Sequence, residues 1–433
     1  MRVIILVLLF FSPFLGFSQG GFTPIFSYST NINGLIYCIH NDTLTNTTFI
    51  GGNFSSVGGI PRNYIAAFNS STGALLPFNP NISSLFGGNV NCITSIGNKV
   101  LFSGNFNTVN SQPRNYFASV NFSNSALNTS TLNIGGSINF LYSDNNKIYL
   151  GGAFSSINGF SRNNIALIDS NGVLQSFSPN LNSSVNKIVG VGQNIYLLGT
   201  FTSINSNSRN GIAKLNKLTG TVSSWNPLTN VTPNDMVLFN DKIFIIGDYT
   251  TVGTSSVTGL VSVDSIVGNV INSFPNNSYN FVTTCSSTIA VKYFNNIAVM
   301  ADKIFFTGQI QGSGYHYEVL ETDINFSTLT HTYYNNCIGT NIYKFLSGSN
   351  IYNSYEFPVK FLVTKNFLSV AVTTEACWSC LANWDGYSGQ EYHKIYNYCL
   401  IPKLPSSFST STPTLCARTF GVNYSIPLSA YVN

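Results

Sequence analysis

An internal repeat constrains the fold of this chain more than any other feature of its sequence. Each copy has an apolar run that ends in a glycine, and an Arg-Asn pair begins ten residues after that glycine. The anchoring glycines of the four clear copies are Gly52, Gly104, Gly152 and Gly199, and the arginines are Arg62, Arg114, Arg162 and Arg209. The period is about 47 to 52 residues. A repeat of this kind indicates units that bury their apolar faces against one another.

The internal pattern of each unit predicts an all-β fold. Each copy contains four short β-type runs separated by Gly, Asn and Ser turns, and the mature chain shows no helical apolar period. Four strands at this period are typical of a β-propeller blade. A fifth copy at Gly247 has Val257 in place of the arginine, and fainter copies follow at 303–308 and 365–371. We therefore expect four-stranded blades, seven in number, with six as the alternative.

The domain boundaries follow from the same pattern. We expect regular blades over about 35–280, degenerate blades over about 281–400, and a tail at 401–433 that completes or covers the last blade. Phe22-Thr23-Pro24 matches the aromatic residue and proline that close most copies. A strand at 22–30 is therefore predicted to complete the last blade, which would leave no open sheet edge.

The first 18 residues have the pattern of a secretory signal peptide. Arg2 precedes an apolar run, and the small residues Gly16 and Ser18 stand where signal peptidase reads the chain, so cleavage would expose Gln19. The run is shorter than the ~20 residues of a spanning helix, which disfavours the alternative of a retained membrane anchor. We expect a secreted, extracellular or cell-surface protein without a transmembrane anchor.

Cysteine usage agrees with an oxidising compartment. The even number suits four disulfides, formed by Cys38, Cys92, Cys285, Cys337, Cys377, Cys380, Cys399 and Cys416. Similar repeat positions favour the pairs Cys38–Cys92 and Cys285–Cys337, with the other four stapling the last blade. Cys377 and Cys380 also have zinc or redox spacing, but no histidine falls at a zinc-ligand spacing around them. We predict neither a metal nor a cofactor.

The repeat unit resembles two known types of propeller repeat. Its pattern Gly-Gly-x-Phe-x-x-(Val/Ile)-x-Gly-x-x-Arg, continued by an Ile-Ala run and a turn glycine, resembles the delta-60-type repeat of secreted and surface proteins. It is similar as well to the Kelch-like propeller repeats of the Rax2 type. The match is good over 49–228 and partial beyond. The resemblance implies a propeller fold in an extracellular or surface setting, and it implies no enzymatic mechanism.

Low charge excludes several classes of function. Charged residues make up 8% of the chain and the net charge is +4, whereas asparagine occurs 57 times. This composition excludes a coiled coil, a charge-rich disordered tail and a nucleic-acid binder, which needs clustered Lys and Arg. Low charge and asparagine richness are also the only features that favour a viral or phage fibre component. The repeated arginines are predicted to bond loop carbonyls or stack on phenylalanines, and the alternative is an anion-binding ring.

Asparagine richness also produces N-glycosylation motifs at the frequency that chance predicts. Eleven are expected to be accessible, at Asn41, Asn46, Asn69, Asn81, Asn121, Asn128, Asn182, Asn230, Asn276, Asn325 and Asn423. A twelfth, Asn53, falls inside the Gly-Gly-x-Phe strand and is the least favourable.

The C-terminal third carries the side chains best suited to recognition. All five glutamates lie there, together with six of the eight cysteines. Aromatic and polar groups that suit sugars or protein anchors are expected at a candidate ligand-binding cluster, formed by Trp378, Trp384, Asp385, Tyr387, Tyr392 and His393. The alternative is that these residues pack an irregular blade.

The sequence favours a non-catalytic binding or structural module in an extracellular assembly. Its partners would be an extracellular protein or carbohydrate, with self-association as a further class. The alternative is a secreted carbohydrate-active hydrolase or lyase that uses a carboxylate pair, drawn from Glu318, Glu321, Glu356, Glu375 and Glu391.

Overall fold

The computed structural model consists of consecutive antiparallel sheets. It describes residues 23–85, 87–128, 131–257, 259–274, 290–292, 296–300, 303–311, 315–326, 329–331, 354–363, 367–376 and 392–399. All regular elements in these ranges are β-strands, as the alternation of short apolar runs and turns predicts. We number the main sheets 1 to 7 in the order of their first strands after β1.

The strands of the first four sheets follow the repeat closely. Sheet 1 contains β2 (Ile36–Asp42), β3 (Thr47–Gly52) and β6 (Ile65–Asn69), and sheet 2 contains β8 (Asn89–Ile96), β9 (Lys99–Asn105) and β12 (Phe117–Asn121). Sheet 3 contains β13 (Ile134–Asp144), β14 (Lys147–Ile157) and β16 (Ile165–Asp169), and sheet 4 contains β17 (Val185–Val191), β18 (Asn194–Gly199) and β21 (Ile212–Asn216).

The later sheets contain four or more strands each. Sheet 5 contains β22 (Asp235–Phe239), β23 (Lys242–Ile246), β26 (Leu260–Asp264) and β27 (Val270–Ser273). Sheet 6 contains β28 (Ala290–Lys292), β29 (Ile297–Met300), β30 (Lys303–Gln311), β31 (Tyr315–Asp323) and β32 (Leu329–His331). Sheet 7 contains β33 (Ser354–Val363), β34 (Phe367–Ala376), β35 (Tyr392–Cys399) and β1 (Thr23–Ile32).

Ten two-residue strands accompany the longer strands of the sheets. They are β4 (Ser56–Val57), β5 (Ile60–Pro61), β7 (Ile82–Ser83), β10 (Thr108–Val109), β11 (Gln112–Pro113), β15 (Phe160–Ser161), β19 (Ser203–Ile204), β20 (Asn207–Ser208), β24 (Thr251–Val252) and β25 (Ser255–Ser256). Each hairpin lies between the second and third strands of its unit, and it pairs with the segment that enters the same unit, as Val109 does with Ile82.

In each of the first four sheets, a fourth segment pairs with the third strand through a single β-bridge. Phe68 pairs with Leu75, Val120 with Leu127, Ile168 with Leu174, and Leu215 with Val222. The four β-type runs that the sequence predicts for each unit are therefore present in these sheets, although the outermost run forms one bridge rather than a ladder. In sheets 1 and 3, a carbonyl oxygen of this outermost run accepts a hydrogen bond from the repeated arginine.

The N-terminal strand belongs to the last sheet rather than the first. The strand order of sheet 7 is β33-β34-β35-β1, and β1 runs antiparallel to β35 with Thr23 opposite Cys399 and Ser27 opposite Tyr396. The Phe22-Thr23-Pro24 pattern predicts a strand at 22–30 beside the last blade, and β1 lies beside β35 at that position. This pairing places the first described strand beside the last described strand.

The anchoring glycines lie opposite a β-bulge. In sheets 1 to 4 the register of the first two strands shifts by one residue beside the glycine, for example between Ile138, opposite Gly152, and Phe140, opposite Gly151. A Cβ on Gly152 would lie 2.1 Å from the carbonyl oxygen of Ser137. Close approach of two backbones, and not a left-handed conformation, therefore explains this repeated glycine.

The repeated arginines bond main-chain carbonyls. In all four copies Nη1 donates to the carbonyl of the preceding residue, at 2.6–2.8 Å. Nη2 also reaches the outermost strand position, from Arg62 to Leu76 O at 3.0 Å and from Arg162 to Gln175 O at 2.8 Å. The arginine thereby ties the inter-strand hairpin to the edge of the same sheet.

Asparagine abundance has a structural explanation in the turns. Oδ1 of Asn182 accepts hydrogen bonds from the backbone N–H groups of Thr202 and Ser203, and Asn230 does the same in sheet 5. Asn216 caps the turn after β21 in a similar way. Short side-chain acceptors close such turns without a charge, so the residue that dominates the composition also shapes the loops.

The hydrophobic core lies between neighbouring sheets rather than within one. Phe49 of sheet 1 packs with Phe102 of sheet 2 in one buried cluster, and Tyr149 of sheet 3 packs with Leu197 of sheet 4 in another. The same arrangement joins sheets 2 and 3, 4 and 5, and 5 and 6. Each unit therefore depends on its neighbour for burial, as the repeat predicts.

A partly buried titratable group, His40, lies between the inner strands of sheets 1 and 2. His40 on β2 stacks on Phe49, and its Nε2 lies 2.8 Å from Ser95 Oγ on β8. Burial lowers the pKa of His40 to about 4, and the Asp42 carboxylate opposes this shift in part. The neutral imidazole is thus the form that the fold accommodates.

This histidine should make stability depend on pH. The unfolded chain binds the His40 proton below about pH 6.5 and the folded chain only below about pH 4, so the contribution is complete above 6.5 and is lost as the pH falls towards 4. One pKa unit corresponds to about 1.4 kcal/mol, and we expect a loss of about 2 to 3 kcal/mol across this window. Urea unfolding at pH 7 and pH 4.5 should show a smaller loss for His40→Gln than for the natural chain. Equal losses in the two proteins would contradict this assignment.

Candidate functional site

A cleft that combines polar and apolar groups lies between sheets 2 and 3. Its volume is about 440 Å³. Strands β9 and β12 form one wall, and the turn after β16 forms the other. The lining residues are Lys99, Leu101, Phe117, Ser119, Asn121, Leu127, Asn128, Ile168, Ser170, Asn171 and Gly172.

The cleft exists because sheet 2 lacks an aromatic side chain that the other regular sheets have. On the second strand of sheets 1, 3, 4 and 5 the same repeat position is aromatic, as Phe49, Tyr149, Tyr196 and Phe244. In sheet 2 this position is Leu101, which is 2% exposed. A leucine fills less of the space between sheets than an aromatic ring does, and part of that space stays open.

A second aromatic position is also changed in this copy. In sheets 1, 3 and 4 an aromatic residue stands three positions after the residue that forms the outer bridge. Its ring packs on the aromatic ring of the second strand. The centroid distances are 5.5 Å for Phe78 and Phe49, 5.7 Å for Phe177 and Tyr149, and 5.2 Å for Trp225 and Tyr196. The corresponding residue of sheet 2 is Ser130, which lies outside the described residues. Two aromatic positions that pack together elsewhere are thus non-aromatic here.

The neighbouring interface shows what the aromatic residue does when it is present. The Tyr149 hydroxyl donates to the carbonyl oxygen of Lys217 in sheet 4 at 2.9 Å. Burial, and after it the Asp144 carboxylate, raises the pKa of Tyr149 to about 12. The hydroxyl therefore keeps its proton at neutral pH and closes the space that is open between sheets 2 and 3.

Lys99 brings a positive charge to the cleft. Its Nζ donates to the carbonyl oxygen of Ser170 at 2.6 Å and to Asn171 Oδ1 at 3.2 Å. An ammonium group has three hydrogens, so one remains after these two bonds. Among the lining residues, Lys99 is the only one that is charged at neutral pH.

Neutral polar groups accompany the lysine. Asn128 Nδ2 donates to Ser119 Oγ at 2.8 Å, which leaves the hydroxyl hydrogen of Ser119 able to donate. Ser119 is 8% exposed and stands opposite Leu101 on the adjacent strand. Leu101 and Ile168 lie at the base of the cleft, where they are 2% and 0% exposed and belong to the core between the sheets. The cleft thus combines hydrogen-bond donors and acceptors above a buried apolar base.

Sequence reasoning missed these cleft residues, although a signal was present. Lys99, Ser119, Asn128 and Asn171 belong to no motif and stand in different units. The usable signal was the loss of the aromatic residue at position 101 in a copy that otherwise keeps the repeat. A departure from a regular repeat is where a functional site is expected.

The predicted C-terminal cluster falls mostly outside the described residues. Trp378, Trp384, Asp385 and Tyr387 lie there, whereas the backbones of Tyr392 and His393 belong to β35 and pair with Thr374 and Thr373. The structure therefore does not bring the cluster together in its described part, and the cluster stays a prediction. The glutamates Glu318, Glu321, Glu356 and Glu375 lie on strands of sheets 6 and 7, and Glu391 lies outside the described ranges.

Most of the cysteines also lie beyond the described ranges, as Cys285, Cys337, Cys377, Cys380 and Cys416 do. Cys399 is the last residue of β35. Cys38 Sγ lies 3.8 Å from Val90 O, and Cys92 Sγ accepts a hydrogen bond from Leu141 N at 3.1 Å. These contacts place each sulfur beside the inner strand of the next sheet. The disulfide pairings remain predictions.

The glycosylation motifs differ in how far the fold engages them. Asn46 and Asn81 are exposed, and both have left-handed backbone conformations at turns, with φ of 51° and 45°. Asn41 Oδ1 accepts hydrogen bonds from Thr48 and Ser70, at 3.4 Å and 2.9 Å. Asn276 and Asn423 lie outside the described residues. Occupancy of the motifs remains a prediction.

Two further observations concern membranes and metals. In the described ranges no helix has the length and hydropathy needed to cross a membrane. The same residues contain no group of three or more His, Cys, Asp or Glu side chains arranged to hold a metal ion.

Repeated sheets with four strand positions each, which bury their apolar side chains against the neighbouring sheets, are typical of β-propeller repeat proteins. Residues 144–174 and 194–222 match a family described as a domain of unknown function (DUF5122) β-propeller. These two segments cover the second strands and outer turns of sheets 3 and 4. No curated protein matches the chain significantly in sequence.

Solved structures with a related arrangement are distant. A computationally designed protein, Ika8, is 9% identical, with 87% of this chain and 100% of that chain covered and a TM-score of 0.45. The S511A mutant of a puromycin hydrolase is 9% identical, with 80% and 52% covered and a TM-score of 0.43. The tail fibre of Staphylococcus aureus phage P68 is 10% identical, with 87% and 52% covered and a TM-score of 0.30. The chain spans about half the length of the latter two, and similarities this weak carry no functional argument.

Proposed function

We propose that this chain is a secreted β-propeller that acts as a non-catalytic binding module in an extracellular assembly and takes a small ligand in the cleft between sheets 2 and 3. The observation that carries the proposal is the cleft itself, where Leu101 replaces the aromatic residue of four other sheets. Concave sites with an apolar wall and a few convergent polar groups are the usual places for small ligands.

The fold that we propose is a closed ring of seven blades, with sheets 1 to 7 as the blades. Its support is the sequence of contacts among the innermost strands. β2 contacts β8, β8 contacts β13, β13 contacts β17, β17 contacts β22, β22 contacts β29, β29 contacts β33, and β33 contacts β2. In a closed ring β1 would be the outermost strand of the last blade, and its pairing with β35 would hold the ring shut.

The extracellular setting rests on the sequence. The apolar leader at 1–18, the even number of cysteines and the resemblance to secreted repeat proteins all support it. A rigid ring with polar, weakly charged turns would then present the cleft to extracellular sugars or to small groups on a partner protein.

A cleft-filling variant tests the binding function. Leu101→Phe restores the aromatic residue found in sheets 1 and 5, and we expect it to abolish ligand binding while the protein stays folded. A panel of small sugars, sugar acids and amides, followed by ligand-observed NMR, would identify ligands of the natural chain.

Tyr149→Phe is the matched control, because it changes the same repeat position one sheet further on and leaves the cleft unaltered. Ligands recovered unchanged after long incubation support a non-catalytic role, and chemical conversion of a ligand would support the hydrolase or lyase alternative. Binding that survives Leu101→Phe would place the ligand elsewhere and contradict the proposal.

A further inference from the structure

We infer that one surface of the protein, formed by the hairpins of sheets 1 to 4, binds an anionic lipid bilayer. This hairpin face consists of the four segments that end in the repeated arginines, at 57–62, 109–114, 157–162 and 204–209. The inference goes beyond the proposed ligand binding and does not depend on the cleft between sheets 2 and 3. It depends on where the hairpins lie, which charges they carry and which side chains their tips expose.

The four hairpins lie at the same end of their sheets. Each connects the second strand to the antiparallel third strand, so it lies opposite the turns that follow the first and third strands. The first strands of sheets 3 and 4 run in the same direction, because Asn139 bonds Asn186 at 3.1 Å and Tyr142 bonds Gly190 at 3.3 Å. Pairs of contacts in the same order join sheets 1 and 2, and sheets 2 and 3. The hairpins of these sheets therefore share one face.

The charged side chains of sheets 1 to 4 are divided unequally between the two ends. Residues 35–231 contain three carboxylates, and each stands at the last residue of a first or third strand, away from the hairpins. They belong to Asp42, Asp144 and Asp169. All four repeated arginines lie at the hairpin end. At the same end of sheet 5, Asp235 pairs with Lys187, and Asp248 is a single exposed carboxylate. The hairpin face of sheets 1 to 4 is therefore basic.

The structural bonds of the arginines leave their charge available. Arg62 and Arg162 each spend one hydrogen of Nη1 and one of Nη2 on neutral carbonyl oxygens. A guanidinium has five N–H hydrogens, so each Nη keeps a second one, and both side chains are partly exposed. In the part of the chain that the structure describes, neither of the two ion pairs involves an arginine. A phosphate oxygen suits such a group.

Two of the hairpins expose an apolar side chain beside the turn. Ile60 and Phe160 are 49% and 64% exposed, and each stands two residues before the arginine of its unit. Both hairpins turn through two residues with positive φ, at 58° and 77° for Gly58-Gly59 and at 52° and 79° for Asn158-Gly159. Such turns are tight and match the twist of the strands. The apolar side chains are thus presented on short, well-defined projections.

The separation of these apolar side chains favours a bilayer over a protein partner. Between Ile60 of sheet 1 and Phe160 of sheet 3, the same position of sheet 2 is the polar Gln112. A protein interface has a contiguous and closely packed apolar centre, whereas a bilayer admits separate side chains and offers phosphate groups over its whole surface. Leu85 adds a third apolar projection, 80% exposed, just after β7, which pairs with the hairpin of sheet 2.

The test measures how much of the full chain floats with lipid vesicles. One set of vesicles is phosphatidylcholine alone, and the other contains about 30% phosphatidylglycerol, which supplies the negative surface potential. We expect the partition coefficient to be about 10-fold or more higher on the anionic vesicles, because four arginines face the headgroups. About 0.5 M salt should remove most of this difference, since it screens charges at the surface.

Two variants locate the contact. Phe160→Ser should lower the partition onto anionic vesicles about 10-fold, because it removes an apolar side chain that enters the acyl boundary. Val173→Ser is the matched control, since Val173 is 57% exposed but lies at the opposite end of sheet 3, and it should leave the partition unchanged. Circular dichroism confirms that both variants are folded.

Three outcomes would overturn the inference: equal binding to neutral and anionic vesicles, equal effects of Phe160→Ser and Val173→Ser, or no binding to vesicles. Soluble poly-glutamate is an additional probe. If the chain binds it and binds no vesicles, the hairpin face recognises an acidic protein and not a bilayer. Ligand binding in the cleft is measured separately with Leu101→Phe, so the failure of one proposal is distinguishable from the failure of the other.

Discussion

Gly152→Ala is expected to lower the free energy of unfolding by about 4 kcal/mol, a loss that marks a severe packing conflict. The new Cβ would lie 2.1 Å from Ser137 O and 2.8 Å from Ile138 Cα, and both are backbone atoms that cannot rotate away. The conflict falls at the bulge that joins the inner two strands of sheet 3. Denaturant unfolding followed by circular dichroism would measure the loss.

Gly97→Ala is the control for this prediction. Gly97 has a φ of +57° and no atom within 4 Å of its would-be Cβ, so the substitution introduces backbone strain without a clash. We expect a loss of about 1 kcal/mol there. A similar loss at both positions would mean that close approach is not the reason for the repeated glycine. Gly52, Gly104 and Gly199 should behave like Gly152, since their would-be Cβ atoms lie 1.9–2.0 Å from a carbonyl oxygen.

Trp225→Ala is expected to destabilise the fold by about 4 kcal/mol, as is usual when a buried aromatic side chain is truncated. The indole is 1% exposed, its ring packs edge-on to Tyr196 at 5.2 Å, and its Nε1 donates to Asp264 O in sheet 5 at 2.7 Å. The substitution removes both the packing and a hydrogen bond between sheets. Thermal and urea unfolding would measure the effect.

Leu218→Ala provides the comparison for Trp225. Leu218 lies in the turn after β21 and is 52% exposed, so we expect a change within about 0.5 kcal/mol. If Trp225→Ala cost no more than this, the aromatic positions between sheets would not be the main source of stability. The interpretation of the cleft as a missing aromatic contact would then lose its basis.

The stabilising effect of Trp225 and the presence of the cleft have one physical cause. The units bury little on their own, and stability comes from what fills the space between neighbouring sheets. Trp225 fills that space between sheets 4 and 5. Leu101 fills it less completely between sheets 2 and 3. Where an aromatic residue is absent, the same architecture has room for a ligand.

Local pattern in the sequence was enough for the strands and their order. The run from Tyr149 to Gly152 predicts a buried strand, and β14 is that strand. The Phe22-Thr23-Pro24 match led to a strand beside the last sheet, and β1 pairs with β35 there. These features depend on alternation and on turn residues that lie close together in the chain, and such information is local.

The cleft could not be predicted in the same way. Lys99 and Ser170 are 71 residues apart, and their hydrogen bond exists only because sheet 3 packs against sheet 2. The C-terminal cluster was predicted from the concentration of glutamates and cysteines in that part of the chain, and composition contains no information about distances. The Leu101 substitution was visible in the repeat, yet its consequence depends on which side chains face it from the next sheet.

The sequence by itself determined an all-β repeat, the position of each glycine and arginine within it, and the need of each unit for a neighbour, because periodicity and turn chemistry are properties of the chain. Only the tertiary structure decided that the glycines allow close backbone approach at a bulge and that the arginines bond main-chain carbonyls. It also decided that one interface between sheets holds a cleft lined by Lys99. The glycine and arginine contacts join neighbouring strands of one unit, and their geometry depends on how those strands pair. The cleft depends on residues as far apart as Lys99 and Ser170, because the space between two sheets is set by the side chains of both.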